Sequence, residues 1–415
     1  MHRSHILLLG VLCVPLGCAG PGSTGEPGAR SAQKAVRPGI EVLLADSAHL
    51  VRDRRVGLVT NQSGIDASGV SDVVRLRAAG VRLVALFSPE HGFRGAADPG
   101  AAVASSVDSA TGLPIYSLYG RTSAPTDEML AGIDVLLVDL QDAGARYYTY
   151  ITTTVDVMKA AAGKGIPVVL LDRPDPIGGA VLGNVLEEAH ISPVGRLRVP
   201  MRHGLTLAEM ARLARADLGI AGELRVVPVS GWSRGMAFDA TGIPFVPPSP
   251  NLRTLESLFH YPGTCLFEGT NLSVGRGSDA PFEQIGSPWL DTAAVLSALR
   301  KAALPGVRAR GVRFTPSAPG DGKYADTLLA GIRLEVTDRA AYDPTAAAIY
   351  LLAAIRRRHP SEFGWIPKHF DRLAGTTRLR AAIEGGADPA AIVRSWEPER
   401  REYLERRRPV LLYPE

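Results

Sequence analysis

Residues 134–146 read D-V-L-L-V-D-L-Q-D-A-G-A-R: four apolar residues between two aspartates, then a turn-forming stretch with an amide, an acid and an arginine. An apolar run without polar alternation marks a strand buried on both faces. The runs V-G-L-V-T (56–60), V-R-L-V-A-L-F (81–87) and V-V-L-L-D (168–172) have the same form. Between them, 70–79 and 147–163 read as helices. Strand, helix, strand in this order predicts right-handed parallel crossovers, so a first domain over about 38–225 is expected to be a doubly wound, mostly parallel α/β sheet.

The second half, 226–415, reads as a smaller α/β domain. Strands are expected near 224–229, 311–315 and 331–336, and helices near 291–303 and 344–358. Between the first of these and the rest lies 243–290, rich in Pro, Gly and Asn, which reads as a long loop of little regular structure. Loops of that length in compact domains are usually functional. The tail 376–408 reads as helical, its mixed charge fitting a solvated face better than a basic docking patch.

The 415 residues are 46% hydrophobic and 21% charged, which excludes a disordered or fibrous chain. The 44 glycines and 31 prolines argue against a long-helix bundle. A net charge of +4 is too small and too evenly spread for a nucleic-acid binder. Arg3 and the apolar stretch from Ile6 to Gly17 have the form of an export signal, too short for a mature membrane span. The signal ends in V-P-L-G-C at Cys18, which resembles the bacterial lipoprotein box, with Pro15 where an aliphatic residue is usual. Cys18 is therefore expected to carry a lipid anchor, 19–37 to be a tether, and the body to work in the cell envelope or periplasm. Cys13 leaves with the leader, and Cys265, in the apolar run T-C-L-F, reads as packing.

Ligands of open α/β sheets bind beyond the carboxyl ends of the strands. There the sequence places Asn61-Gln62-Ser63-Gly64, then S-P-E-H-G-F-R-G with Glu90, His91 and Arg94, then Gln141, Asp142 and Arg146, then Asp172 and Arg173. Capping of the following helices accounts for some of these, but not for Glu90, His91 and Arg94 in one glycine-flanked loop. A second cluster, 261–283, holds Glu268, Asn271, Arg276, Asp279 and Glu283 among glycines, and P-P-S-P-N upstream ends at Asn251. Carboxylates near amides and arginines suit a polyhydroxylated acidic ligand such as a sugar acid. A loop knotted by its own hydrogen bonds is the plainer alternative.

Gly231 to Gly235 matches G-x-S-x-G around Ser233, but the following M-A-F-D-A-T-G-I-P cannot be the helix a nucleophile elbow needs. There is no dinucleotide fingerprint, Walker A, H-E-x-x-H or C-x-x-C, and His91, His203, His260, His359 and His369 are too scattered for a metal motif. No cofactor or metal is expected.

Nearly the whole mature chain resembles the exo-β-N-acetylmuramidase family of peptidoglycan hexosaminidases. The resemblance rests on L-V-T-N-Q-S-G (58–64), L-F-S-P-E-H-G-F-R-G (86–95), Y-S-L-Y-G (116–120), D-L-Q-D-A-G-A-R-Y-Y-T-Y (139–150), L-D-R-P-D-P-I-G-G (171–179), M-R-H-G-L-T (201–206), P-P-S-P-N-L (247–252) and Y-P-G-T-C-L-F-E-G-T-N-L-S-V-G-R-G (261–277). Ala143 stands where valine is expected. The resemblance implies a Rossmann-like half, a smaller α/β half, a cleft between them, and removal of N-acetylmuramic acid from non-reducing ends of cell-wall glycan fragments. Within it, Glu90 is expected as proton donor, with His91 orienting it or sharing its proton. Glu268 is expected as the second carboxylate, ahead of Asp279 and Glu283, unless the substrate's own N-acetyl group attacks. Arg94, Arg146 and Arg276 are the candidates for the lactyl carboxylate, with Asn61, Gln141, Asp142, Arg173, Asn251 and Asn271 as further substrate contacts. A glycan-binding lipoprotein without activity and a serine hydrolase using Ser233 are the competing readings.

Overall fold

The computed structural model describes residues 35–414, so the leader, Cys18 and most of the tether lie outside the described residues. The strands in chain order are β1 (Arg55–Thr60), β2 (Arg82–Ser88), β3 (Ser106–Val107), β4 (Pro114–Ser117), β5 (Val135–Asp139), β6 (Val168–Leu171), β7 (Leu182–Val185), β8 (Pro200–Arg202), β9 (Leu224–Val227), β10 (Gln284–Ser287), β11 (Val307–Phe314) and β12 (Leu329–Val336). The unbroken apolar runs form the centre of a seven-stranded sheet ordered β3-β4-β2-β1-β5-β6-β9. All its pairings are parallel except β3 with β4. Apart from β3, the order is that of the Rossmann-like doubly wound sheet, reversing between β1 and β5. The strand read at 224–229 therefore closes the edge of this sheet instead of opening the second half.

Both faces of the sheet are buried, as the lack of alternation requires. Val56, Leu58, Val135, Leu137, Val169 and Leu171 pack on one side with Ile40, Leu43, Val73 and Leu76 from the helices Gly39–Asp46 and Asp72–Ala78. Val59, Leu136, Val138, Val168 and Leu170 face the other side, under the helices Tyr150–Lys164 and Leu207–Asp217. That second core continues without a break into Phe259, Leu266, Ile285, Ile332 and Leu352 of the other half. There β10-β12-β11 form an antiparallel sheet backed by the helices Thr292–Ala302 and Leu255–Thr264, and the helix Pro344–Arg358 packs against both helices. The described residues, 35–414, belong to one compact unit.

The stretch 243–290 is more ordered than its composition predicts. It contains a helix, Leu255–Thr264, started by a Thr254/Ser257 capping box and holding Pro262 and Gly263 near its end. These two residues read as breakers in the sequence, yet Pro262 lies in the last turn, and a side chain at Gly263 would collide with the Pro344 carbonyl of the neighbouring helix. Close helix contact, not a loop, explains the glycine. The tail forms the helices Arg378–Glu384, Pro389–Arg394 and Glu397–Arg407, the last docked through buried Tyr403, whose hydroxyl donates to the His203 carbonyl at 2.8 Å.

The chain end is stitched back to the sheet at Asp172. Its carboxyl accepts from Thr206 Oγ1 at 2.7 Å, from the Ala208 N–H at 3.1 Å and from the Tyr413 hydroxyl. Burial pushes this carboxyl up to about 7, above the ~3.9 of a solvated aspartate. The folded state then keeps a proton that the unfolded chain releases. The resulting stability is complete below about pH 4 and is lost as pH rises through about 7. Asp172→Asn is expected to shallow the fall in melting temperature between pH 5 and 8, measured by differential scanning fluorimetry. It will not abolish the fall, because buried Asp175 is likewise pushed up to about 7. A slope identical to wild type would contradict this assignment.

Candidate active site

A cavity of about 280 Å³ opens between the two halves. The loop after β2 supplies Glu90 and His91, the segment after β4 supplies Tyr119, and Tyr147, Tyr148 and Thr149 come from the end of the β5 loop. The other half supplies Tyr261, Cys265, Glu268, Arg276, Asp321 and His369. The three residues 147–149, read as helical from sequence, precede the helix, which starts at Tyr150.

Glu90 is held at both oxygens. The Gly100 N–H donates to Oε1 at 2.9 Å and the Thr149 hydroxyl to Oε2 at 2.6 Å. Thr149 is the N-cap of the helix Tyr150–Lys164, yet its side chain makes no capping bond. Its hydroxyl goes to Glu90 instead, so the carboxyl is pinned beside the positive end of a helix dipole. His91 and Gly92 both take left-handed backbone, φ 70° and 75°, which turns the chain sharply after Glu90. Such strain in a non-glycine residue survives only where the surroundings fix it. His91 Nδ1 lies 2.8 Å from the Ala97 carbonyl. A carbonyl only accepts, so Nδ1 carries the proton and Nε2 is the nitrogen left for the cavity. Burial lowers the imidazole pKa, favouring the neutral ring. Tyr119, on the same wall, is pushed up to about 12 by burial and by the charge of Glu90.

Glu268 follows the Leu255–Thr264 helix on a short 3-10 turn, Cys265–Gly269. Arg276 donates to its Oε1 through Nε at 2.8 Å and Nη2 at 2.6 Å, and lies 5.0 Å above the Phe282 ring. The Cys265 thiol is 3.6 Å from Oε2. Burial and the Glu268 charge push that thiol well up, which makes it a poor nucleophile. Lys323 Nζ donates to the carbonyls of Glu268 at 3.1 Å and Leu272 at 3.2 Å, tying the turn from below.

Of the residues singled out in the sequence, the cavity brings together Glu90, His91, Glu268 and Arg276. The others stand elsewhere. Arg146 corrects the expectation of a carboxylate contact: it is 2% exposed and donates to the carbonyls of Asn184, Val199, Leu373 and Ala374. Arg173 likewise points inward, to Asp139 and the Ile65 carbonyl. Arg94 turns out to solvent with Asp108 at 3.9 Å. Asn61 binds the Tyr150 hydroxyl at 2.6 Å and accepts from Ser63. Gln141 donates to the Asp142 and Pro174 carbonyls, and Asp142 accepts from the Gly144 N–H with His203 3.3 Å away. The crevice at the reversal of strand order is thus closed by its own side chains, and the cavity lies to one side of it. Asn271 joins Glu362 to Gly364, Asp279 pairs with Arg333 at the surface, and Glu283 accepts from Thr254. Asn251 is buried in the turn beside Ser249 and Leu252, which do reach the cavity.

Tyr119, Thr149, Asp321 and His369 escaped the reading of the sequence. His369 was visible only as a poor metal ligand, and among the described residues no group of three or more His, Cys, Asp or Glu side chains is placed to hold a metal. Gly231–Gly235 runs on toward the 3-10 turn Phe238–Thr241, not into a helix, so no nucleophile elbow forms around Ser233.

A cavity with a carboxyl group from each half, tyrosines on its walls and an arginine inside has the equipment of a glycoside hydrolase. The relatives agree. Residues 56–256 match the exo-β-N-acetylmuramidase NamZ N-terminal family and residues 259–413 its C-terminal counterpart. The chain belongs to this family. It is 41% identical over 381 residues to the peptidoglycan β-N-acetylmuramidase NamZ of Bacillus subtilis strain 168, covering 91% of each chain. Two crystal structures of DUF1343 family proteins from Bacteroides fragilis NCTC 9343 share the fold. One has a TM-score of 0.84 at 32% identity, over 91% of this chain and 99% of that one. The other has a TM-score of 0.76 at 30% identity, over 92% and 99%.

Proposed function

We propose that this protein is an exo-β-N-acetylmuramidase, a glycosidase that releases N-acetylmuramic acid from the non-reducing ends of peptidoglycan fragments. The observation that carries the reading is the meeting of Glu90 and Glu268, from the two halves of a chain of this family, on one cavity.

Glycoside hydrolysis needs a proton for the leaving oxygen and a second group to meet the positive charge that develops on the sugar. Glu90 is the proton donor. As the bond to the anomeric carbon breaks, its electron pair goes to the leaving oxygen, which takes the Glu90 proton. The Gly100 N–H and Thr149 O–H then face the new carboxylate, and hydrogen bonds to the charged form favour it. These donors are in place beforehand, which is the preorganisation that lowers a barrier. Glu268, oriented by Arg276, is the second carboxylate. Water supplies the hydroxyl of the released sugar, and its remaining proton restores Glu90.

The cavity size fits exo action. At about 280 Å³ it sits at the lower edge of ligand pockets, which run roughly 300–1,000 Å³. That is room for one terminal sugar, not for a chain threaded through. The test is whether the protein frees N-acetylmuramic acid from glycan fragments that end in it.

A further inference from the structure

A muramic acid residue carries a carboxylate, and its recognition calls for a cation whose charge is not already spent. The arginines proposed from sequence do not meet that need. Arg146 is committed to carbonyls and Arg94 points to solvent. Arg276 is paired with Glu268 through Nε and Nη2, so its charge is matched and only its buried Nη1 is left over. Inside the cavity stand Glu90, Glu268 and Asp321, and Lys323 is tied to two carbonyls. With Glu90 protonated, the carboxylates of Glu268 and Asp321 are matched by Arg276 and by Lys323, 4.0 Å from Asp321, so the interior has no spare positive charge for a further anion. The substrate carboxylate therefore belongs at the mouth.

Arg372, hydrogen-bonded to the cavity residue His369, stands beside the lining. It lies on the helix Pro367–Ala374, is exposed, and its hydrogen bond among the described residues runs from Nη2 to His369 Nδ1 at 2.6 Å. Its charge acts on both His369 and Tyr119, which line the cavity from different halves of the chain. The hydrogen bond also fixes the histidine. A guanidinium only donates, so Nδ1 accepts and the ring proton sits on Nε2. His369 is then a neutral donor toward the cavity, next to an arginine whose remaining N–H groups are available to a carboxylate.

Resting on the muramidase reading above, we infer that Arg372, positioned by His369, binds the sugar's carboxylate at the cavity mouth and gives the site its selectivity over sugars that lack one. A charge-assisted contact of this kind is worth about tenfold in affinity, and because it is exposed it weakens with salt.

The experiment titrates free N-acetylmuramic acid, its methyl ester and N-acetylglucosamine into wild type, Arg372→Ala and Arg372→Lys by calorimetry, at low and high salt. Wild type is expected to prefer the acid over the ester about tenfold, less at high salt. Arg372→Ala should lose that preference and its salt dependence while binding the ester as wild type does, and Arg372→Lys should restore part of it. An equal loss for acid and ester assigns Arg372 a structural role and overturns the inference. So does an undiminished preference in Arg372→Ala, or no binding of the acid by wild type. Glycoside hydrolysis measured in parallel tests the muramidase reading separately: acid-selective binding without turnover would sink that reading and leave the Arg372 assignment standing.

Discussion

Glu90→Gln is expected to lower kcat on a muramic acid glycoside by about 10²–10⁴-fold, the usual contribution of a general acid. The substitution keeps the shape of the side chain and leaves one oxygen to accept from Gly100 or Thr149, so the fold and KM should change little. What it removes is the proton. The loss should therefore be much smaller for a substrate whose leaving group departs without protonation, such as an aryl glycoside with an acidic phenol. Steady-state kinetics on a sugar and an activated aryl leaving group provide the comparison. Retention of more than about a tenth of turnover on the sugar substrate would remove Glu90 from the acid role.

Arg146→Met is expected to cost roughly 3 kcal/mol of stability, from the loss of charged hydrogen bonds worth about 1.5–3 kcal/mol each, partly offset because the buried charge is removed too. Burial lowers the pKa of this guanidinium, which shows how poorly the site solvates it. It nevertheless holds the carbonyls of Asn184, Leu373 and Ala374 together, joining β7 to the end of the Pro367–Ala374 helix. The position after that helix is Gly375, at φ 68°, where a side chain would run into Leu186 and Arg146 itself. Urea unfolding should show the loss as a lower midpoint. An unchanged midpoint would mean that water or neighbouring donors satisfy these carbonyls as well as the arginine does.

The contrast between Arg146 and Glu90 shows what could be read in the sequence. Four apolar runs marked the central strands because a strand buried on both faces has no polar alternation, and the residues after each run fell on one rim because parallel strands end together. The direction in which a rim side chain turns depends on the packing around it. Glu90 is aimed by Gly100 of its own loop and by Thr149, distant in the chain, while Arg146 and Arg173 turn inward to carbonyls and an aspartate that no local pattern announces. Glu268 was legible because glycines and charges cluster around it. His369 and Asp321 were not, since one sits on an ordinary amphipathic helix and the other in a P-G-D-G turn, and only the meeting of the two halves brings them to Glu90. Proline and glycine hid the Leu255–Thr264 helix for the same reason: the contact with Pro344 that requires Gly263 is tertiary.

Removal of a terminal muramic acid residue is the reaction proposed for this cavity. The most direct measurement incubates the protein with two defined peptidoglycan fragments, one ending in N-acetylmuramic acid at its non-reducing end and one ending in N-acetylglucosamine, and follows the products by mass spectrometry. Free N-acetylmuramic acid should appear from the first fragment alone, leaving a chain one residue shorter. Both fragments remaining intact, or the first being cut internally, would contradict the account.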